Sequence, residues 1–168
     1  VVNSHFSTES GMLMDEAIMN VILEKYHIRI GRKAAETLKM TLGVEWDLNR
    51  DTRICEVCGI STITELPVKI AVTGEIVAQA LNPILYRIFS GITSVIQMTP
   101  PAILGDIREH GIVLIGGVAQ LKGLKELVLK VTDMKAHVAD HPSYVNAVGA
   151  GSALEYMDYF RDSLQDLH

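Results

Sequence analysis

Apolar residues recur at intervals of three and four along much of the chain, which predicts helices that each bury one face. In the first such stretch the repeating positions are Ile18, Val21, Ile22 and Tyr26. The predicted helices are residues 14–26 and 32–42, a long pattern that follows Thr73 and ends before Pro100, and residues 102–110, 121–131 and 143–160. These helices supply most of the predicted core.

Shorter stretches have the composition or the alternation of apolar and polar residues that is typical of strands. They are residues 1–8, 54–60, 66–72, 112–115 and 136–139. The last two strands alternate with the last two helices, and such a βαβα order requires a right-handed crossover and a parallel sheet covered by helices. The pair at 54–60 and 66–72 surrounds a polar turn, and with the first two helices it predicts a small α+β insertion.

Glycine and proline residues mark the ends or interruptions of several predicted elements. Gly11 separates the first strand from the first helix, and Gly43 is a plausible helix stop before a charged loop at residues 46–53. Pro83 interrupts the long helical pattern, so we expect a kink or a helix start near it. The polar tail at residues 161–168 is expected to fray.

Composition narrows the function classes. The chain has 168 residues, of which 48% are hydrophobic, and this suits one compact soluble domain. The net charge of −5 argues against nucleic acid as a partner, because phosphate binding needs clustered Lys and Arg. Neither a membrane-spanning run nor a signal peptide is recognisable, so we expect a cytoplasmic protein. Because the sequence begins with Val1, we expect a fragment of a longer protein.

The cysteines and histidines are weak metal candidates. Cys55 and Cys58 form a C-x-x-C, but a structural zinc site needs about four ligands, and a strand places positions three apart on opposite faces. We therefore expect two reduced thiols. His137 and His141 lie on a predicted strand that ends at Pro142, which does not suit a helical metal motif. We predict no metal ligands and no catalytic residues.

The most informative stretch is residues 111–124, GIVLIGGVAQLKGL, in which a strand runs through two glycines towards a helix. Backbone without side chains can approach a flat or anionic ligand closely. The spacing fits neither the Walker phosphate loop nor the dinucleotide G-x-G-x-x-G motif. On spacing alone, a tight strand-to-helix turn remains the simpler interpretation.

Residues 113–124 nevertheless resemble the adenosine motif of the actin, heat-shock chaperone and sugar-kinase superfamily. Four further segments resemble, in order and spacing, the bacterial actin family of MreB and Mbl. They are GMLMDEAI at 11–18, GRKAAETLK at 31–39 followed by Gly43, TPPA at 99–102 and ADHP at 139–142. The resemblance covers about residues 1–160 and corresponds to the second half of such a protein.

The resemblance implies an α/β fold, the second domain of an actin-like (ribonuclease H-like) ATPase. Its larger subdomain, on the side of the nucleotide, would comprise residues 1–10 and 73–160. The inserted smaller α+β subdomain would comprise residues 11–72. A ligand would bind where the two meet.

The resemblance also implies which residues contact a nucleotide. Glu36 and Lys39 share one helical face and would present an acceptor and a donor to the ribose hydroxyls. Without the resemblance, an exposed ion pair between these two residues is the simpler interpretation. Gly116 and Gly117 would pass under the nucleotide, and Gly11 would line the same cleft. Two positions depart from the family: Met12 stands where an Asp is usual, and Val118 where a third glycine is common.

By resemblance, the intact protein would be an ATP-binding, filament-forming cytoskeletal protein that determines rod shape by organising cell-wall synthesis. It would bind ATP or ADP with Mg²⁺, associate with itself and with RodZ, MreC and MreD, and lie at the inner face of the cell membrane. The acidic phosphate-binding turns of the superfamily are missing from this sequence. We therefore expect no ATP hydrolysis, and at most weak nucleotide binding, by these 168 residues alone. Two alternatives remain: a stand-alone interaction module without nucleotide chemistry, and a fragment of a sugar or acetate kinase.

Overall fold

A computed structural model describes residues 1–44 and 53–156. The first helix, α1, spans Gly11–Tyr26, and it begins earlier than its apolar pattern because the Ser10 hydroxyl accepts a hydrogen bond from the Leu13 amide at 3.3 Å. A short strand, β1, spans Ile28–Arg29, and helix α2 spans Arg32–Leu42 as predicted. The predicted loop at 46–53 lies outside the described residues except for its last position.

Three strands form an antiparallel sheet in the order β1-β2-β3. Strands β2 (Ile54–Ser61) and β3 (Pro67–Thr73) agree with the predicted strands to within one residue. Alternation along β2 leaves Cys55 half-buried and Cys58 exposed, and both thiols are free. The expectation of two unpaired thiols on opposite faces is confirmed. Strand β1 was not predicted, because two residues are too few to show a period.

The long helix α3 spans Gly74–Met98 and continues through Pro83. Of the two predicted alternatives, a helix start near Pro83 is therefore wrong, and a kink there stays a prediction. Proline removes one backbone hydrogen bond from a helix interior. Residues on both sides of it, including Val77, Leu81 and Ile84, are buried in the core, and this packing holds the helix together across the proline.

The remaining elements build a parallel βαβ unit. Helix α4 spans Pro101–His110, strand β4 Ile112–Leu114, helix α5 Leu124–Thr132, strand β5 Ala136–Val138 and helix α6 Val145–Glu155. Strand β4 pairs with β5 in parallel, with Ile112 opposite Ala136, as the sequence predicts. Residues beyond 156, including the end of the predicted last helix and the tail, lie outside the described part.

The predicted helix at 121–131 begins later than expected. A 3₁₀ helix spans Gly117–Gln120, and α5 starts only at Leu124. The reason is Gly123, whose φ of 84° lies in the left-handed region and ends any helix that approaches it from the N-terminal side. The apolar period had suggested a continuous helix from residue 121.

The predicted strand at residues 1–8 is wrong. This segment has no regular secondary structure, because a strand needs a neighbour and no described strand pairs with it. Side chains hold the N-terminal segment instead. The Asn3 amide donates to the Met98 carbonyl at 2.7 Å, and Arg87 donates to the Glu9 carboxylate at 2.5 and 3.1 Å. The hydrogen bond from Arg87 lowers the pKa of Glu9.

One hydrophobic core joins residues from both predicted subdomains. It includes Met14 and Ile18 of α1, Leu38 of α2, Leu81 of α3 and Leu124 of α5. The division at residues 10 and 73 therefore stays a prediction. In the described ranges, no helix has the length and hydrophobicity needed to cross a bilayer.

Candidate functional site

A cleft of about 450 Å³ lies where α1 and α2 face the 3₁₀ helix. Its walls are largely apolar side chains, with a few polar groups placed among them, as in many small-molecule sites. The lining residues are Ser10, Gly11, Met12, Met14, Asp15, Glu36, Lys39, Met40, Gly117, Val118, Gln120, Leu121 and Ser143.

Two glycines fix the end of α2 against the segment that follows the 3₁₀ helix. The Val44 amide donates to the Lys122 carbonyl at 2.8 Å, and Lys122 Nζ donates to the Thr41 carbonyl at 3.1 Å. A Cβ at Gly43 would lie 2.5 Å from the Lys122 carbonyl oxygen, and one at Gly123 would overlap the Val44 carbonyl oxygen. This close backbone contact sets the spacing of the two walls of the cleft.

The two glycines of the strand-to-helix turn differ in their structural role. Gly116 has a φ of 86°, which glycine adopts readily, and its amide donates to the Pro142 carbonyl at 2.8 Å. Gly117 lines the cleft with ordinary φ, and a Cβ there would meet no atom within 4 Å. Neither backbone conformation nor packing within the described chain requires glycine at 117, which suits a surface kept bare for a ligand.

The most buried polar group of the cleft is an ion pair between α1 and α2. Lys39 Nζ lies 2.6 Å from Asp15 Oδ1 and 2.9 Å from the Gly11 carbonyl oxygen. The two side chains are only 9% and 8% exposed. The ammonium thus ties the start of α1 to α2 within the lining of the cleft.

Glu36 lies one helical turn before Lys39 and is exposed to the cleft. It forms no ion pair with Lys39, whose carboxylate partner is Asp15. The simple alternative of an exposed pair between Glu36 and Lys39 is therefore wrong. The Glu36 carboxylate has no hydrogen-bond partner among the described residues, so its oxygens remain available as acceptors.

The structure brings most of the predicted contact residues together. Gly11, Glu36, Lys39, Gly117 and Val118 line one cleft, whereas Gly116 is not among its lining residues and donates its amide to the Pro142 carbonyl. Whether these residues bind a nucleotide stays a prediction.

Sequence reasoning missed four polar residues of the cleft. Two of them, Ser10 and Asp15, belong to the start of α1 and its N-cap. The other two, Gln120 and Ser143, are joined by a hydrogen bond of 2.8 Å from Gln120 Nε2 to Ser143 Oγ. Asp15 follows Gly11 by one helical turn, so its place on the cleft face of α1 could have been read from the spacing.

Metal binding has no support within residues 1–44 and 53–156. No group of three or more His, Cys, Asp or Glu side chains there has the arrangement to hold an ion.

The fold resembles those of two proteins of known structure. It superposes with a TM-score of 0.80 on MreB5 of Spiroplasma citri bound to ADP, at 22% identity, over 90% of this chain and 46% of that one. A MamK double helical filament matches with a TM-score of 0.68 at 21% identity, over 82% of this chain and 42% of that one. The chain therefore has an actin-like fold, as predicted.

Sequence comparison gives the family. The model of the MreB/Mbl protein family matches residues 1–162. The cell shape-determining protein Mbl of Bacillus cereus is 31% identical, and the cell shape-determining protein MreB of Escherichia coli is 32% identical. Each alignment covers 94% of this chain but only 47% and 45% of the relative. The chain belongs to the MreB/Mbl family and spans about half the length of these curated relatives.

Family membership confirms the resemblance seen in the sequence. It disfavours the alternative interpretation that the chain is a fragment of a sugar or acetate kinase.

Proposed function

We propose that the cleft binds the adenosine part of ADP or ATP, and that the chain is the nucleotide-contacting half of a filament-forming bacterial actin. The observation that carries the proposal is the convergence of Gly11, Glu36, Lys39 and Gly117 on one cleft. In support, the superposed MreB5 was solved with ADP and with AMPPNP. The volume of about 450 Å³ is within the range of small-molecule sites.

The chemistry of the cleft suits a nucleoside more than the phosphates. Glu36 offers acceptor oxygens, Lys39 offers a donor, and Met12 and Met40 provide polarisable apolar surface for a base. Charge neutralisation of the phosphates, on which phosphoryl transfer depends, would come from residues outside this sequence. We therefore propose that Mg²⁺ and the phosphates are held by the rest of the protein, and that these 168 residues do not hydrolyse ATP alone.

The wider role follows from the family and stays part of the proposal. The intact protein would form filaments beneath the inner face of the cell membrane and organise cell-wall synthesis with RodZ, MreC and MreD. A stand-alone interaction module is the second candidate. One observation favours it: the Val118 side chain reaches Gly11, with Cγ2 3.4 Å from the site of a Gly11 Cβ, and this narrows the cleft.

Glu36→Ala should weaken adenosine binding by about 1 to 3 kcal/mol, because a ribose hydroxyl would lose its charged acceptor. Titration of this chain with adenosine, followed by calorimetry or by amide NMR shifts where binding is weak, measures the change. Glu24→Ala is the control, since Glu24 is exposed on α1 and does not line the cleft. Equal affinity in the Glu36 variant and the parent would contradict the ribose assignment.

Oligomers of this chain should not respond to ATP, because the phosphate contacts that link nucleotide to assembly are proposed to lie outside it. Self-association is expected since α6 buries none of its residues and exposes Val148 and Leu154, next to the exposed Tyr144 that precedes it. Sedimentation with and without ATP and Mg²⁺ tests both points. Val148→Glu should reduce the sedimenting fraction, whereas pelleting that depends on ATP would show that the chain supplies the phosphate contacts itself.

A further inference from the structure

Two of the three hydrogen-bond donors of the Lys39 ammonium already have acceptors within the lining of the cleft. An ammonium has three N–H donors and no acceptor. One donor is directed to Asp15 Oδ1 at 2.6 Å and a second to the Gly11 carbonyl at 2.9 Å. One N–H is left, and Lys39 lines the cleft where a ligand would meet it.

Because Lys39 is buried, its ammonium depends on these partners. A charged ammonium removed from water needs a counter-charge and nearly complete hydrogen bonding. Asp15 supplies the charge from α1, and no buried side-chain nitrogen or oxygen of the described residues lacks a partner. Without the carboxylate, the ammonium would keep the neutral Gly11 carbonyl but lose its counter-charge, since Glu36 is exposed and does not pair with it.

We propose that Asp15 is a positioning residue for nucleoside recognition, which holds Lys39 so that a single N–H faces the cleft. The proposal rests on the nucleoside-binding function proposed above and extends it. One fixed donor from Lys39 and one acceptor from Glu36 match the two neighbouring hydroxyls of ribose. A 2′-deoxyribose can satisfy only one of the two groups, so the pair makes the cleft selective for ribonucleosides.

The test compares adenosine with 2′-deoxyadenosine by NMR titration of the 168-residue chain. The parent should bind adenosine about tenfold more tightly, as expected for one hydrogen bond to a charged group. In Asp15→Asn the ratio of the two dissociation constants should fall below about twofold, because the neutral amide removes the counter-charge that holds the ammonium in place. Glu16→Gln is the matched control, since Glu16 follows in the same helix and pairs with the exposed Arg32. It should keep the full ratio.

A purely structural Asp15 would weaken both nucleosides equally and leave the ratio unchanged, and that result in folded Asp15→Asn would overturn the proposal. If Asp15→Asn does not fold, Asp15→Leu combined with Lys39→Met replaces the pair by apolar side chains of similar size. This double variant should fold and should bind adenosine and 2′-deoxyadenosine with similar affinity. A folded double variant that still binds adenosine about tenfold more tightly would also contradict the proposal.

A measurement without ligand separates this proposal from the proposed function. The Lys39 ammonium protons should exchange slowly enough to be seen by ¹⁵N NMR in the parent and in Glu16→Gln, and should vanish in Asp15→Asn. If neither nucleoside binds the parent, the nucleoside function fails, and selectivity for ribose fails with it. The ammonium signal then still reports whether Asp15 holds Lys39, and its absence from the parent would refute the positioning role on its own.

Discussion

Gly123→Ala should lower the free energy of unfolding by about 3 kcal/mol or more, because the added methyl group would overlap the backbone at Val44. The left-handed backbone conformation alone costs alanine about 1 to 2 kcal/mol. The new Cβ would overlap the Val44 carbonyl oxygen, so the backbone must move and the hydrogen bond from Val44 to Lys122 is lost, at about 1 kcal/mol. Urea unfolding followed by circular dichroism measures the change.

Gly105→Ala is the matched control for this prediction. Gly105 lies in α4, and a Cβ there would meet nothing within 4 Å, so alanine should raise stability by up to about 1 kcal/mol. Equal effects at the two positions would show that the contact between Gly123 and Val44 does not hold the walls of the cleft together.

Asp15→Ala should lower the free energy of unfolding by about 3 to 5 kcal/mol, because it leaves the Lys39 ammonium buried without its partner. Glu16→Ala on the same helix should cost less than about 1 kcal/mol, since the side chains of Glu16 and Arg32 are about half exposed. Chemical denaturation of both variants gives the comparison.

The double variant Asp15→Leu with Lys39→Met adds a second comparison for this prediction. It should recover most of the loss, because apolar residues of similar volume often replace a buried ion pair without cost. A small effect of Asp15→Ala, comparable with that of Glu16→Ala, would mean that water reaches the pair freely and that it does not tie α1 to α2.

Local sequence patterns correctly predicted the elements that show a clear helical period or a clear alternation of apolar and polar residues. Helix α2 has a strong period and ends at Gly43, and the alternation along β2 placed Cys55 and Cys58 correctly. The strand at residues 1–8 was wrong because strand formation depends on a neighbour, which no local pattern reveals. The start of α5 was wrong because the φ of Gly123 is set by its contact with Val44, far away in sequence.

Local patterns also failed to reveal contacts between different elements at the cleft. Family motifs placed Gly11, Glu36 and Lys39 on one cleft, and the structure brings them together. The partner of Lys39 could not be read from α2 alone, because a helical repeat identifies neighbours within one helix and not the residue facing it on another. The i,i+3 spacing suggested Glu36, whereas packing of α1 on α2 brings Asp15 to the ammonium.

An amide NMR titration of the isotope-labelled chain with adenosine tests most directly whether this cleft binds the nucleoside. If it does, the largest shifts should map to Gly11, Glu36, Lys39 and Gly117, with saturation at one site. Absence of shifts up to the solubility limit of adenosine, or shifts confined to the apolar groove lined by Ile92 and Ile107, would contradict adenosine binding in the cleft.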